Sequence, residues 1–266
     1  MHKSKSNIDK EGQRKPKVTI KQIRSTAQKP KDQEAYLAWF VHRRISPLVT
    51  WVLAQTPVTP NAVTWSMFFV GFSGGILLSL KSPLLAFLGA LCYQILYLLD
   101  CVDGELARVT KILSPIGEPL DRIMHYATDI ALFTGTGMGL YFRTNQVFLL
   151  YVMLVIIVFH ISYTFSIDVL FSLYPGKKKY LSNKIRTESG LKRGIFKIFG
   201  MLSSISTIFT ILLITLGFDL FFPNLIHSWG ISTFYYIVIS VILVVRTCIR
   251  IPRFYKIARD SAGCEP

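Results

Sequence analysis

The chain has 266 residues, of which 51% are apolar, and carries a formal net charge of +15. Its mean hydropathy of +0.43 and its long apolar runs argue against an ordinary soluble domain and indicate a membrane protein. Nucleic-acid binding is also disfavoured, because the basic residues gather near the two ends and in one loop without forming a recognition helix. The four cysteines include no CxxC pair, so we predict neither a disulfide framework nor a zinc site.

The first predicted elements are a basic tail and an amphipathic helix. Residues 1–34 carry ten Lys and Arg with little apolar content, so we expect a disordered cytoplasmic tail. Residues 35–57 mix Trp51 and other apolar residues with Arg43 and Arg44, which is the pattern of a helix lying in the membrane interface. The stretch TPVTPN then ends this helix, and Asn61 is suited to cap the next one.

Six apolar segments follow, each close to the ~20 residues that a helix needs to cross the hydrocarbon of a bilayer. They lie at about 61–80, 83–104, 118–142, 146–172, 195–222 and 231–249. The sequence therefore predicts an all-α integral membrane protein, in which the interfacial amphipathic helix precedes a domain of six transmembrane helices over residues 58–250. Residues 251–266 are predicted to form a second basic cytoplasmic tail.

Positive charge alternates between the two sides of the predicted membrane domain. The loop at 174–197 carries eight Lys and Arg, and five more lie between Arg246 and Arg259, whereas residues 219–230 have none. Because cytoplasmic loops are enriched in Lys and Arg, both termini and the 174–197 loop are predicted to be cytoplasmic. The basic loop fits either recruitment of an anionic acceptor or lipid, or a plain cytoplasmic anchor.

Glycine pairs four residues apart occur in two of the predicted spans, Gly71 with Gly75 and Gly135 with Gly139. In a membrane such pairs let helices approach closely, so we predict helix packing there and no functional role. His160, in the middle of the fourth span, is likewise interpreted as a residue hydrogen-bonded to a neighbouring helix.

Charged residues gather where the second predicted span ends and the third begins. Positions i, i+3, i+4, i+7 and i+8 of a helix share one face. This spacing gives one strip of Asp100, Asp103, Gly104, Ala107 and Arg108. A spacing of four gives a second strip of Gly117, Asp121, His125 and Asp129.

Converging carboxylates at a membrane are costly unless cations neutralise them. Asp100, Asp103 and Asp121 supply hard oxygen ligands of the kind that bind Mg²⁺, Mn²⁺ or Ca²⁺. The small residues leave room for a bulky ligand, and Arg108 suits a phosphate. The pattern predicts phosphoryl transfer from a nucleotide diphosphate at the cytoplasmic surface. Simple pairing of charges at helix ends is the alternative, but it does not explain why so many are placed on two adjacent helices.

This region resembles the signature of the CDP-alcohol phosphotransferase family, D-x2-D-G-x2-A-R-x8-G-x3-D-x3-D. The stretch DCVDGELARVTKILSPIGEPLDRIMH meets seven of its eight fixed positions at the required spacing. The resemblance extends over about residues 36–250 and includes TPNAVT at the start of the first span. It implies a membrane enzyme that transfers a phosphoalcohol group from a CDP-linked donor to an acceptor hydroxyl and releases CMP.

The resemblance also implies roles for individual residues. Asp100, Asp103 and Asp121 would hold a divalent cation, Mg²⁺ or Mn²⁺, on the donor pyrophosphate. The implied CDP-donor pocket is formed by Gly104, Ala107, Arg108 and Gly117, and it is bordered by Asn61 and Thr64. A homodimer is implied as well.

The sequence departs from the signature at the last position, where His125 replaces the aspartate that the family is proposed to use as a base. A neutral imidazole can take a proton or bind a metal, so we predict an active enzyme with His125 as the general base. Asp129, about 6 Å farther along the helix, is the alternative base. An inactive enzyme with altered metal occupancy is the remaining interpretation.

Two donor classes fit the resemblance. CDP-diacylglycerol, which would place the protein in phospholipid synthesis, is favoured over a soluble CDP-polyol such as CDP-inositol. A transporter fits less well, because we find no internal repeat and the charges lie near one end of the spans. A membrane scaffold or lipid-binding protein without activity is the other alternative.

Overall fold

The computed structural model describes residues 18–28, 41–112, 114–173, 204–222 and 230–262 of the chain. Within these ranges the regular structure is helical, and no strand occurs there. We number the helices α1 to α8 in chain order, over Ile20–Gln22, His42–Leu53, Pro60–Ser79, Pro83–Thr110, Gly117–Thr144, Phe148–Leu173, Ile205–Phe221 and Gly230–Ala262. The predicted all-α class is confirmed for the described residues. The basic loop at 174–197 and the first part of the predicted interfacial helix lie outside them.

Four helices are long and apolar enough to cross a membrane by length and composition. They are Pro60–Ser79, Pro83–Thr110, Phe148–Leu170 and Gly230–Pro252. The helix α7 is apolar but shorter, with 17 residues. The helix α5 coincides with the third predicted span, but it mixes apolar residues with charged residues and glycines. The chain is therefore a membrane protein with several apolar helices.

Large apolar side chains lie on the outside of these long helices. Phe69 and Phe72 on α3, Tyr151 and Val158 on α6, and Val241 on α8 are all exposed. Extended apolar surface of this kind is rare on soluble proteins, because leaving it in water is unfavourable. A lipid environment removes this penalty.

The chain divides into two compact units. The first comprises Met1–Val70 and Ile95–His125, and the second comprises Gly71–Gln94 and Tyr126–Pro266. The helices α3, α4 and α5 each contribute residues to both units. The charged motif as far as His125 belongs to the first unit.

In the first unit, α2 turns its polar side inward. Arg43, Ser46 and Thr50 are buried on this helix, whereas Leu48 and Trp51 are exposed. This is the reverse of the pattern on a soluble helix, where the apolar stripe faces the core. The buried polar residues of such a helix require polar partners inside the protein.

The structure departs from the predicted disorder of the N-terminal tail, because α1 and the π-helical turn Ile23–Ala27 lie inside that tail. Local capping explains the start of this helix: Thr19 Oγ1 accepts from the Gln22 N–H, and the Gln22 side chain accepts from the Thr19 N–H. Burial explains the rest, since Ile23 is 0% exposed and Ala27 is 1% exposed.

Two other helices extend beyond their predicted apolar segments. The helix α4 continues to Thr110 and so carries the motif through Arg108; it ends where Lys111 adopts a φ of 55°. The helix α8 continues through Pro252 to Ala262, where the sequence predicts a basic tail. A proline inside a helix removes one backbone hydrogen bond and disfavours a straight helix, which is why the sequence alone predicts an end near this point.

Glycines allow α3 and α5 to pack closely in the second unit. A Cβ atom built on Gly135 would overlap the carbonyl oxygen of Gly75, and one on Gly75 would lie 2.7 Å from the carbonyl oxygen of Ala131. A Cβ atom on Gly139 would overlap the carbonyl oxygen of Leu78. The predicted close helix packing is thereby confirmed at Gly75, Gly135 and Gly139.

Tyrosine hydroxyls join helices in the same unit. Tyr93 on α4 donates to the carbonyl oxygen of Thr128 at 3.0 Å, and Tyr236 on α8 donates to that of Phe133 at 2.7 Å. Both acceptors lie on α5. Because an unsatisfied hydroxyl is costly away from water, these hydrogen bonds stabilise the contacts of α4 and α8 with α5.

We expect Gly135→Ala to destabilise the protein, because its Cβ atom meets backbone that cannot move without separating α3 from α5. Overpacking of this kind costs ~1–3 kcal/mol, which corresponds to a fall of several degrees in melting temperature. Thermal unfolding in detergent measures the effect. The control is Gly217→Ala, whose Cβ atom would lie 3.3 Å from the movable Phe87 ring. Equal melting temperatures for Gly135→Ala and the wild type would contradict the packing.

Candidate active site

The two charged strips predicted from helical spacing meet in the first unit, except for Asp129, which belongs to the second unit. Nε2 of His125 lies 3.2 Å from Oδ1 of Asp100 and 3.4 Å from Oδ1 of Asp121. One ligand atom from each of these three residues lies within 4.8 Å of the other two. Their side chains are between 28% and 36% exposed. The group is therefore both compact and open to a ligand.

The chemistry of this group fits a divalent cation. Oδ1 of Asp121 is buried and accepts no hydrogen bond from the described part of the chain, although His125 is near. A buried carboxylate oxygen in this state is unfavourable until a cation or a donor satisfies it. Two carboxylates and an imidazole offer oxygen and nitrogen ligands to one ion. The Asp100, Asp121 and His125 group is therefore the candidate metal site.

Asp103, the remaining predicted metal ligand, is not a member of that three-residue group. Thr64 is buried on α3, and its hydroxyl donates to Oδ2 of Asp103 at 2.9 Å. The same hydroxyl lies 3.2 Å from the carbonyl oxygen of Pro60. The sequence predicts Thr64 only as a border of the donor pocket, whereas the structure shows that it orients Asp103.

Arg108 folds back over Gly104, one turn earlier on α4. A Cβ atom on Gly104 would lie 3.3 Å from Nη2 and 3.4 Å from Nη1 of Arg108. Nε of Arg108 donates to the carbonyl oxygen of Ala27 at 2.5 Å. The glycine thus gives space to the guanidinium, which is the group best suited to a phosphate.

Gly117 begins α5 beside Asn61. A Cβ atom on Gly117 would lie 3.6 Å from Oδ1 of Asn61 and 3.6 Å from Cβ of Ser114, which is ordinary van der Waals contact. The protein therefore has room for alanine here, so a requirement for glycine would come from a ligand. Ala107, the other small residue of the predicted pocket, is half-buried on α4.

Asp129, the alternative base, belongs to the second unit and has other partners. Its Oδ2 lies 2.8 Å from Nε2 of His160, and Nδ1 of His160 lies 3.2 Å from Nη2 of Arg246. All three residues are buried, with 6%, 4% and 5% exposure. Removing one member of such a buried polar group is strongly unfavourable, which indicates a role in joining α5, α6 and α8. His160 is hydrogen-bonded to a neighbouring helix, as predicted.

The motif spacing does not identify Glu105, which is fully buried in the first unit. Its Oε1 accepts from Arg43 at 3.0 Å and from Ser46 at 2.7 Å. Its Oε2 accepts from Thr50 at 2.9 Å. Residues two apart on a helix do not share a face, so Glu105 points away from the Asp103 strip. The signal that could have revealed it is the polar strip on α2, whose members are three and four residues apart.

Comparison with known proteins agrees with the motif. A family profile described as CDP-alcohol phosphatidyltransferase matches residues 57–245, and it therefore begins after α2. The bifunctional IPC transferase and DIPP synthase of Thermococcus kodakarensis is 32% identical over 96 residues, or 36% of this chain. The match spans 21% of the length of that curated relative.

A solved structure has a similar fold. The crystal structure of Mycobacterium tuberculosis phosphatidylinositol phosphate synthase with CDP-DAG bound aligns with a TM-score of 0.53 and 20% sequence identity. The alignment covers 78% of this chain and 94% of that chain. At this identity the likeness concerns the fold alone.

Proposed function

Because the chain belongs to the CDP-alcohol phosphatidyltransferase family, we propose that it transfers a phosphoalcohol group from a CDP-linked donor to an acceptor hydroxyl and releases CMP. The observation that carries the proposal is the grouping of Asp100, Asp121 and His125 at the ends of the matched motif. CDP-diacylglycerol is the favoured donor, and a CDP-polyol such as CDP-inositol is the alternative. A membrane scaffold or lipid-binding protein without activity is the other alternative.

We assign a divalent cation, Mg²⁺ or Mn²⁺, to Asp100 and Asp121 of the candidate metal site, together with Asp103, which lies outside that three-residue group and is added because the family motif implies it. When bound, it would neutralise the carboxylates and stabilise negative charge on the donor phosphates. Oδ1 of Asp121, which accepts no hydrogen bond from the described residues, supports this assignment. Thr64 holds Asp103 in place through its hydroxyl.

We place the donor along the small residues of the two strips. The guanidinium of Arg108 binds a donor phosphate through charge-assisted hydrogen bonds. Gly104, Ala107 and Gly117 let the nucleotide approach the helix backbone. Asn61, next to Gly117, offers an amide to the polar edge of the nucleotide.

We propose that His125 is the general base. Its Nε2 lies at hydrogen-bonding distance from the Asp100 carboxylate; if it donates there, the lone pair on Nδ1 accepts the proton of the acceptor hydroxyl. The resulting oxygen bonds to the phosphorus that carries the alcohol group. The bond from that phosphorus to the bridging oxygen then breaks, and CMP leaves with the electron pair. Coordination of a cation by Nε2 is the competing role for the ring.

The first test is CMP release by the purified protein, measured with CDP-diacylglycerol or CDP-inositol, Mg²⁺ or Mn²⁺, and a panel of acceptor alcohols. We expect metal-dependent release, and Asp121→Asn should lower it by at least ~10²-fold, since an electrostatic contact to the reacting phosphates is lost. The matched control is Glu118→Gln, which changes an exposed carboxylate that pairs with Arg122 on the same helix. No release from either donor, or full activity of Asp121→Asn, would contradict the proposal.

The second test separates His125 from Asp129. His125→Ala should lose ~10²–10⁴-fold in turnover, the range for a general base, while retaining CDP binding. His125→Asp should keep substantial activity. Asp129→Asn should keep turnover per folded molecule but melt at a lower temperature, because its buried partners His160 and Arg246 lose the negative charge beside them. Full activity of His125→Ala, or loss confined to Asp129→Asn, would remove His125 as the base.

The Mn²⁺-loaded enzyme provides a spectroscopic check on the same residue. Pulsed electron paramagnetic resonance detects a nitrogen nucleus bound directly to Mn²⁺. If His125 is a base and not a metal ligand, the wild type and His125→Asp should give the same spectrum, without a strong nitrogen coupling from residue 125. A strong nitrogen coupling that is present in the wild type and lost in His125→Asp would instead show that the imidazole of His125 binds the metal.

We further propose that α3 to α8 all cross the membrane, that α2 lies in the interface, and that the site and both termini face the cytoplasm. The exposed apolar side of α2 supports its interfacial position. The Lys and Arg bias of the loops supports the orientation.

Labelling with a membrane-impermeant maleimide tests this orientation in a variant without native cysteines. Ile112 and Val147 follow α4 and α5 and are 50% and 55% exposed, so each suits a single cysteine. Ile112→Cys should be labelled only from the cytoplasmic side, and Val147→Cys only from the other side. The opposite labelling would overturn the orientation.

A further inference from the structure

Two adjacent residues of the N-terminal segment contact the motif helix. The carbonyl oxygen of Ala27 accepts from Nε of Arg108 at 2.5 Å. The side chain of Gln28 donates to the carbonyl oxygen of Arg43 at 2.6 Å and to Oε1 of Glu105 at 3.3 Å. This segment precedes residue 57, where the range matched by the family profile begins.

The Ala27 carbonyl is held on both sides along the chain. On one side, Ile23 and Ala27 are buried, which fixes the π-helical turn. On the other side, the two hydrogen bonds of Gln28 tie the chain to α2 and to α4. A carbonyl group fixed in this way can orient the guanidinium that donates to it.

Glu105 is the point at which these elements meet. Its carboxylate accepts from Gln28, Arg43, Ser46 and Thr50, so it joins the N-terminal segment and α2 to a single turn of α4. That turn runs from Gly104 to Arg108. A buried carboxylate requires its donors, because each one offsets part of the cost of removing the charge from water.

We propose that Glu105 and Gln28 are positioning residues for Arg108. Glu105 holds Gln28, Gln28 fixes the neighbouring Ala27 carbonyl, and this carbonyl takes the Nε–H of Arg108. The Nη1 and Nη2 atoms then lie over Gly104, the place assigned to a donor phosphate. Orienting the guanidinium before the donor arrives reduces the entropy that binding costs. The inference rests on the proposed function, in which Arg108 binds the donor.

The test uses the full-length chain and CDP as the probe. Gln28→Ala removes a half-buried side chain and should raise the dissociation constant of CDP, with Mg²⁺ present, by ~3–10-fold, as expected for the loss of one orienting hydrogen bond. The KM for the donor should rise similarly, and kcat should change less than twofold. The control is Gln55→Ala, an exposed glutamine at the end of α2 that bonds to the Trp51 carbonyl, and it should bind CDP like the wild type.

A double-mutant cycle shows whether the effect passes through Arg108. In an Arg108→Ala background, Gln28→Ala should weaken CDP binding no further, because the oriented group is absent. Glu105→Gln should weaken CDP binding as Gln28→Ala does, and it should also lower the melting temperature. Fully additive effects, or tighter CDP binding by Gln28→Ala, would overturn the inference; tighter binding would mean that the segment competes with the donor for Arg108.

The outcomes also separate this inference from the proposed function. If the wild type binds CDP and releases CMP but Gln28→Ala behaves identically, the positioning role fails and the function stands. If the wild type binds no CDP in the presence of Mg²⁺ or Mn²⁺, the function fails and the inference fails with it.

Discussion

The cost of removing carboxylates from water governs this structure. One stretch of α4 carries Asp100, Asp103 and Glu105, and each is stabilised in a different way. Protein donors surround Glu105, a threonine hydroxyl binds Asp103, and Asp100 lies beside His125. Because neighbouring helical positions point in different directions, one short segment can both fasten the N-terminal region and build a polar site.

The two units use different means to bring helices together. In the second unit, glycines permit backbone contact, and a buried group of Asp129, His160 and Arg246 joins three helices. In the first unit, polar side chains of α2 converge on Glu105. In the second unit, the buried side chains of Asp129 and Arg246 both contact His160. In the candidate site, Oδ1 of Asp121 accepts no hydrogen bond from the described residues and lies 3.4 Å from Nε2 of His125, which supports the cation proposed there.

Spacing along the chain predicts the two strips and most of the helix positions, because helical period and apolar length are local properties. It does not predict that Asp103 pairs with Thr64 or that Asp129 pairs with His160, since those contacts depend on which helices pack together. Glu105 escapes prediction for the same reason: a single acidic residue between Gly104 and Ala107 looks solvent-exposed until α2 covers it. The capped helix near Thr19 shows that a basic composition alone does not determine disorder.

The histidine at the end of the motif changes the charge of the site as well as its basicity. With aspartate at position 125, the group would contain three carboxylates, whereas His125 leaves the two carboxylates of Asp100 and Asp121 beside an imidazole. Less negative charge weakens the attraction of the group for a cation. It also lowers the repulsion between the carboxylates when no cation is bound. Nε2 of His125 lies 3.2 Å from Oδ1 of Asp100, so a hydrogen bond from the ring can offset part of the cost of the Asp100 charge. The proposed role of His125 as a base fits this arrangement, because a carboxylate that accepts from one ring nitrogen leaves the other nitrogen able to take a proton.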